Sequence, residues 1–435
     1  MSETVLVVGG GGREHAITRA LAPDAAVYAI SSNRNPGIAA LAAGTETADE
    51  TDTEAIVDYA ESVGADAAVV GPEAALAAGV ADALNAAGVF TFGPSAEAAR
   101  IETDKAFQRE FMAENEIPGT PGFETFDDAA AAADYVESVE EDVAVKPTGL
   151  TGGKGVRVTS DQVSHEEAAA YVRGSDHDEW VIEERLVGEE FTVQAFVADG
   201  EVRPTPAVQD HKRAYGGDEG PNTGGMGSYS DAGPTLPFMS QAEYHAAVDV
   251  LEATVDALPE YTGVLYGQFM LTASGPKVVE FNARFGDPEA MNVLPVMETP
   301  LLDIVVAARA GERLPEPRFD NSATVCKYAV PAGYPTDPDA GAEIEVDEST
   351  VEAAASAHGG DALLFYASVD ARDGGLFTTT SRSFAVVGVA DDISTAEAIA
   401  SDALAAAGEG LRIREDIGTA ALVQSRVDHM ATLRD

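Results

Sequence analysis

Residues 4–8, Thr-Val-Leu-Val-Val, run directly into four glycines at 9–12 and then into an amphipathic segment from about Arg13. An apolar run of that length, bounded by glycine, reads as a strand buried on both faces, and the pattern behind it as a helix. The same alternation recurs. Residues 26–30 read as a second strand, residues 67–70 run into Gly71-Pro72-Glu73, and residues 89–92 run into Gly93-Pro94. Strands alternating with helical patterns imply a doubly wound parallel sheet over about residues 1–98.

Beyond residue 98 the character changes to α+β. A helix is expected over 103–114, a rigid turn over 117–122, and strand–loop–strand patterns around 143–158 and 179–197. Residues 201–235 are rich in Gly, Pro and Asp with little periodicity and read as a long, functional loop. Past about residue 320, strands at 324–329, 363–369 and 384–389 and a helix at 395–407 predict a smaller terminal domain. The boundaries expected are 1–98, 99–322 and 323–435.

Composition excludes several classes of function. The 435 residues carry 26 Lys+Arg against 75 Asp+Glu, a net charge of −49. Phosphate backbones and anionic membranes would be repelled by such a surface, so neither nucleic acid nor membrane is expected as a partner. Cys326, the single cysteine, rules out an intrachain disulfide and a cysteine-based zinc cluster. Residues 1–4 lack the basic start of a signal peptide, and a cytoplasmic monomer is expected.

Lysine is scarce: only Lys105, Lys146, Lys154, Lys212, Lys277 and Lys327 are present. In such a chain a retained lysine is a candidate for a task, and the first four fall in or near glycine-rich or polar motifs.

The glycines at 9–12 would let backbone N–H groups approach a phosphate at a helix N-terminus. A dinucleotide turn needs G-x-G-x-x-G and an acid ending the second strand. Here Gly10 and Gly12 fit, but His15 (or Glu14 in the other register) replaces the third glycine, and the second strand ends in Ser31-Ser32-Asn33. A phosphate-bearing ligand other than NAD is expected, with a plain tight turn as the alternative. Residues 146–155, Lys-Pro-Thr-Gly-Leu-Thr-Gly-Gly-Lys-Gly, form a glycine loop between two lysines, suited to gripping a triphosphate. Residues 183–190 follow an apolar strand and offer a backbone edge beside carboxylates. Residues 264–271 and 277–282 read as a hairpin. Glu280 and Asn282 share one strand face, and if Leu271 pairs with Lys277, Gln268 lies opposite Glu280. Three oxygen donors would then converge, as Mg²⁺ requires. Residues 209–213 (Gln-Asp-His-Lys-Arg) join basic groups to a carboxylate. Residues 220–227 (Gly-Pro-Asn-Thr-Gly-Gly-Met-Gly) form another backbone-rich cradle, and Arg284 and Asp287 sit in an anion-binding loop. Exposed loops and a solvated polar face are the competing explanations. His165, His177, His245, His358 and His429 show no ligand spacing and read as ordinary residues, and Trp180 as packing.

Taken together, these motifs resemble the phosphoribosylamine–glycine ligase family, ATP-grasp enzymes of purine biosynthesis; the runs at 220–227 and 280–289 carry the resemblance furthest. It implies an α/β and α+β chain with the doubly wound sheet first, a central ATP-grasp fold and a small C-terminal mixed β/α domain. It also implies a reaction joining glycine to 5-phosphoribosylamine with ATP and Mg²⁺ or Mn²⁺, through a glycyl phosphate. Carried over, Lys105, Lys146, Gly152, Gly153, Lys154 and Gly155 would meet the nucleotide phosphates, Glu183 and Leu186 the adenine, and Glu190 the ribose. Gln268, Glu280 and Asn282 would hold metal. Gly10, Gly11, Gly12, Arg13, Glu14, Gly71, Pro72 and Glu73 would bind the phosphoribosylamine with Asp210, Lys212 and Arg213. The cradle residues Asn222, Thr223, Gly224, Gly225 and Met226 join that substrate set. Lys154, Asp210, Arg284 and Asp287 would be catalytic, with Arg284 also contacting substrate. The rivals are an ATP-grasp ligase for another acid and amine, and a non-catalytic nucleotide-binding protein.

The acid load predicts adaptation to high salt, because self-repulsion at −49 is screened once the Debye length falls to about 3 Å near 1 M salt. The melting temperature is expected to rise steadily from dilute buffer to molar KCl; equal stability in the two would refute the adaptation.

Overall fold

The computed structural model describes residues 3–149 and 155–435. Its first sheet is all parallel, in the order Gly44–Thr47, Ala25–Ser31, Glu3–Val8, Ala67–Val70, Phe90–Phe92. Side chains on the first strand alternate between two cores. Leu6 and Val8 pack with Ile30, Ile56 and Ala60, and Val5 and Val7 pack with Ala16, Ile17 and Leu21. Burial on both faces explains why this strand reads as one continuous apolar run. The neighbours Glu3–Val8 and Ala67–Val70 flank the switch point of the winding, so the turns after both open on the same crevice.

Two antiparallel sheets follow. One runs Phe123–Phe126, Trp180–Glu184, Val143–Pro147, Arg157–Val158; the other runs Glu201–Pro204, Glu189–Ala198, Gly263–Thr272, Gly275–Asn282. The helix expected over 103–114 is Lys105–Glu114, separated from the short Arg100–Thr103 by Asp104, which caps it through the Phe107 N–H at 3.0 Å.

The expectation of a long loop over 201–235 is overturned. Gln209–Asp210 and Gly227–Ser230 are strands of the sheet that continues through Ala323–Pro331, Phe384–Ala390 and Asp361–Tyr366, and Arg213–Tyr215 pairs with Glu219–Asn222. These strands are two to four residues long, and Gly227–Ser230 is wholly buried. Neither length nor burial leaves an alternation to read. The terminal sheet thus takes two strands from the middle of the chain. No described helix is long and apolar enough to cross a membrane.

Trp180 lies fully buried in a small separate core with Ala132, Ala133, Val136, Val143, Val145, Ala168, Ala169, Val172 and Ile182. It is the chain's one tryptophan, so its fluorescence reports on this lobe alone. Trp180→Ala is expected to cost about 3–5 kcal/mol, the usual range for emptying such a site. The urea transition followed by circular dichroism should move to lower concentration; an unmoved transition would show that the lobe's packing does not limit stability.

Candidate active site

A cavity of about 480 Å³ lies between the two antiparallel sheets. Ala144, Val156, Leu186 and Met270 give it apolar walls, and residues 183–190 form one edge. Glu183 is buried and accepts from Arg109 Nε at 2.8 Å and Nη2 at 3.1 Å and from Lys146 Nζ at 2.8 Å. Burial alone would raise its carboxyl pKa, but Arg109 and Lys146 outweigh burial and hold it below the ordinary value. Its carboxylate is therefore committed to ion pairs. Glu190 and Leu186 line the same cavity. Gly155 is buried, its carbonyl accepting from the Tyr171 hydroxyl at 3.0 Å. Gly152, Gly153 and Lys154 lie outside the described residues.

Gln268 stands opposite Glu280, and Tyr266 opposite Asn282. The rest of the expected register is wrong by one. Leu271 pairs with Pro276, and Lys277 with Met270, because a β-bulge between the Gln268 and Phe269 pairs leaves Val279 without a partner in the register. The bulge frees the Val279 carbonyl, which accepts from Arg109 Nη2 at 2.7 Å and Lys146 Nζ at 3.1 Å.

The Lys212 ammonium sits between two of the three candidate metal donors, 2.5 Å from Gln268 Oε1 and 3.4 Å from Glu280 Oε1. Burial would raise the Glu280 carboxyl, but Lys212, Lys146 and Lys105 hold it at about 2. Asn282 Oδ1 accepts from Arg284 Nη2 at 3.0 Å. Among the described residues no three or more His, Cys, Asp or Glu side chains converge on one point. The Glu280 carboxylate and the Gln268 amide oxygen around a position already taken by a stand-in cation, with the Asn282 amide oxygen two residues along the same strand, fit a hard divalent ion that completes its shell with ligand or water oxygens.

A second cavity of about 250 Å³ opens at the crevice of the parallel sheet and shares Asp210, Lys212 and Glu280 with the first. Arg13, Glu73, Glu102, Lys105, Thr223, Gly224, Asn282, Arg284 and Asp287 also line it. Lys105 Nζ donates to the Gly149 carbonyl at 2.7 Å, and burial lowers its pKa. Arg284 lies 2.8 Å from Glu102 and 3.9 Å from Glu73. Asp287 accepts from the Tyr328 hydroxyl at 2.6 Å and pairs with Arg382 at 3.2 Å. Asp210 is half-buried, with its Oδ1 buried and unpartnered. Burial, then the nearby Glu289 carboxylate, push its pKa well above the ordinary carboxylate value. Gly225, at φ 105°, brings the cradle against that oxygen where a Cβ would collide.

The glycine turn is engaged by neighbouring side chains. The Gly11 N–H donates to Glu14 Oε2 at 2.7 Å, and the Gly10 carbonyl accepts from Asn33 at 3.2 Å and Asn35 at 3.0 Å. Gly12 opens the first helix, and Pro72 and Glu73 open another. A Cβ at Gly9, Gly11 or Gly71 would strike the Glu14 side chain, so these three glycines make room for an acid. Arg13 Nε meets that acid at 2.6 Å.

Some expected residues are elsewhere. Arg213 and Asn222 line the first cavity, Arg213 bound to the Gly220 carbonyl at 2.7 Å and to Asp161 at 3.0 Å. Met226 points into the hydrophobic core, away from both cavities. Sequence reasoning missed Glu102, Arg109, Glu289, Tyr328 and Arg382, which act across long sequence separations. His429, read as ordinary, lines the first cavity and meets Glu189 at 2.6 Å. His211 lines it too, buried, with neither ring nitrogen hydrogen-bonded.

The chain matches the profiles of phosphoribosylglycinamide synthetase: the N domain over residues 3–102, the ATP-grasp (A) domain over 103–290 and the C domain over 324–420. It is 51% identical over 442 residues to the phosphoribosylamine–glycine ligase of Methanosarcina barkeri, covering 99% of each chain. The crystal structure of the Thermotoga maritima phosphoribosylamine–glycine ligase superposes with a TM-score of 0.78 at 25% identity, covering 95% of this chain and all 100% of that one. The biotin carboxylase domain of the Hydrogenobacter thermophilus 2-oxoglutarate carboxylase, a complex with MgADP and bicarbonate, shares the fold at a TM-score of 0.72 and 17% identity, over 99% of this chain and 94% of its own. Matched in turn by the N, A and C domain profiles and 51% identical to one such ligase over 99% of its length, the chain belongs to the phosphoribosylamine–glycine ligase family.

Proposed function

We propose that the protein joins glycine to 5-phosphoribosylamine, cleaving ATP to ADP and phosphate and yielding glycinamide ribonucleotide for purine biosynthesis, by way of glycyl phosphate. The observation that carries this reading is the wall of Asp210, Lys212 and Glu280 common to both cavities. It puts a nucleotide-sized slot and a small polar chamber on either side of one charged partition.

In this reading adenine takes the slot among Ala144, Val156, Leu186 and Met270, with the ribose by Glu190. The phosphates run toward Lys105, Lys146, Lys154 and Lys212. Gln268, Glu280 and Asn282 would hold Mg²⁺ or Mn²⁺, which when bound neutralises phosphate charge. Arg284 orients the glycine carboxylate, and Asp287, fixed by Tyr328 and Arg382, takes its ammonium. Arg13, Glu14 and Glu73 face the ribose of the amine substrate.

A carboxylate oxygen leaves too poorly for an amine to displace it. A glycine carboxylate oxygen first attacks the γ-phosphorus, and the P–O bond to ADP breaks. The amine nitrogen then attacks the acyl carbon, the C–O bond to phosphate breaks, and phosphate leaves with the electron pair. The proton released from nitrogen goes to Asp210. Such transfers depend on positioning and charge neutralisation more than on a protein nucleophile.

The test is ADP release that requires both glycine and phosphoribosylamine; release with another acid or amine would make the protein a different ligase. Glu280→Ala is expected to lower turnover by at least about 10²-fold with an unchanged circular dichroism spectrum. Near-normal turnover at saturating Mg²⁺ would remove the metal assignment.

Asp210 must be ionised to accept a proton, so rate should rise with pH through its raised pKa. The charges facing it are Glu289, Lys212, Arg382 and Glu190. The acid limb of kcat/KM is expected above the ordinary carboxylate range, and Asp210→Asn should abolish the limb and slow the reaction by about 10²-fold or more. An acid limb retained in that variant would assign the proton to another group.

A further inference from the structure

The helix Ala420–Arg434 begins at the last residue matched by the C domain profile, yet two of its side chains line the first cavity. His429 Nδ1 meets Glu189 Oε1 at 2.6 Å, and Arg426 Nε lies 3.4 Å from Glu189 Oε2. Arg426 also pairs with Asp218, which Arg414 holds from the other side at 2.8 Å. Arg414 further donates to the Arg213 carbonyl at 2.9 Å. Arg426 and His429 thus close over one side of the cavity, with Arg414 holding Asp218 behind them.

Their target is informative. Glu189 and Glu190 are adjacent on one strand and so point to opposite faces. Glu190 is tied to Gln268 Nε2 at 2.6 Å, on the side of the metal donors. Glu189, 5% exposed, is met by Arg426 and His429, and Gln209 Nε2 bridges Glu189 Oε2 at 3.3 Å and the Glu190 carbonyl at 3.0 Å. An uncompensated carboxylate so deeply buried would be costly. Neutralising it allows residues 189–190 to stay in register as a rigid edge. In a chain with 26 Lys+Arg against 75 Asp+Glu, concentrating cations on this one edge is a pronounced bias.

We propose that the helix Ala420–Arg434 is a wall of the nucleotide site, and that Arg426 and His429 are positioning residues which, through Glu189, set the affinity for the nucleoside end of ATP. This rests on reading the first cavity as the ATP site. The phosphate end, built from Lys146, Lys212 and Glu280, makes no contact with them and should be indifferent to their loss.

The full chain and its Arg426→Met and His429→Gln variants are compared for KM of ATP and of glycine, for kcat, for binding of AMP by calorimetry, and for inhibition by pyrophosphate. KM for ATP and Kd for AMP are expected to rise together by about five- to tenfold, the loss of one or two charge-assisted contacts. kcat, KM for glycine and the pyrophosphate inhibition constant should stay within about twofold on that same scale. Adding Glu189→Gln to Arg426→Met removes the charge that needed an answer and should restore AMP binding. Unchanged ATP and AMP affinity in both variants would overturn the proposal, as would equal losses toward all ligands, which would mark the helix as a structural tether only. Wild-type protein that binds no AMP or ATP at all would instead overturn the reading of the cavity, and this inference with it.

Discussion

The Lys212 ammonium, lodged between Gln268 and Glu280, is the contact on which the rest of the site depends. It stands where the two cavities meet, and Glu280, Glu190 and Asp210 together outweigh the burial that would otherwise lower its pKa. In return it is the strongest of the cations that hold the Glu280 carboxyl pKa down at about 2. A half-buried carboxylate and a half-buried ammonium are each unfavourable alone and tolerable as a pair. Because the pair bridges the segment at 209–213 and the hairpin at 263–282, it also fixes the terminal sheet's first strand against the grasping sheet.

A second arrangement of the same kind sits beneath it. The bulge at Val279 turns one carbonyl toward Arg109 and Lys146, and the same two cations engage Glu183 from the facing sheet. Three buried charges and a freed backbone oxygen therefore link both antiparallel sheets across the cavity. A regular strand would have kept that carbonyl within its own ladder and left Lys146 with Glu183 alone.

The parts of this architecture legible in the sequence were those written locally. The apolar run at 4–8 and the glycines after it announced the parallel sheet, and the two-residue period placed Glu280 and Asn282 on one face. Counting across the hairpin put Gln268 opposite Glu280, and that pairing stands even though the count passed through the wrong register, since the bulge falls on the turn side of it. The bulge has no signature in Val278-Val279-Glu280. The short strands at 209–210 and 227–230 are too brief and too buried to show a period. Arg382, 95 residues from the Asp287 carbonyl it donates to at 3.0 Å, could be found only by folding the chain. The glycines at 9–12 are legible only in part, because space left for the Glu14 side chain, as at Gly9 and Gly11, looks the same in sequence as space left for a phosphate.

Lysine and arginine divide the work along lines their chemistry dictates. Lys212 and Lys146, compact point charges on flexible stems, stand at the proposed phosphate end and rest meanwhile on protein oxygens. The arginines lie where several segments cross: Arg109 joins Glu183 to the carbonyls of Val278 and Val279, and Arg382 joins Gly224, Gly225 and Asp287. A planar fork with five donors can satisfy several fixed acceptors at once, which a lysine cannot do. Lys327 marks the limit of the lysine rule. It is buried against Glu397, Ser401 and the Glu415 carbonyl and lines neither cavity, so scarcity selects lysines that have fixed partners, and only some of those partners belong to the site.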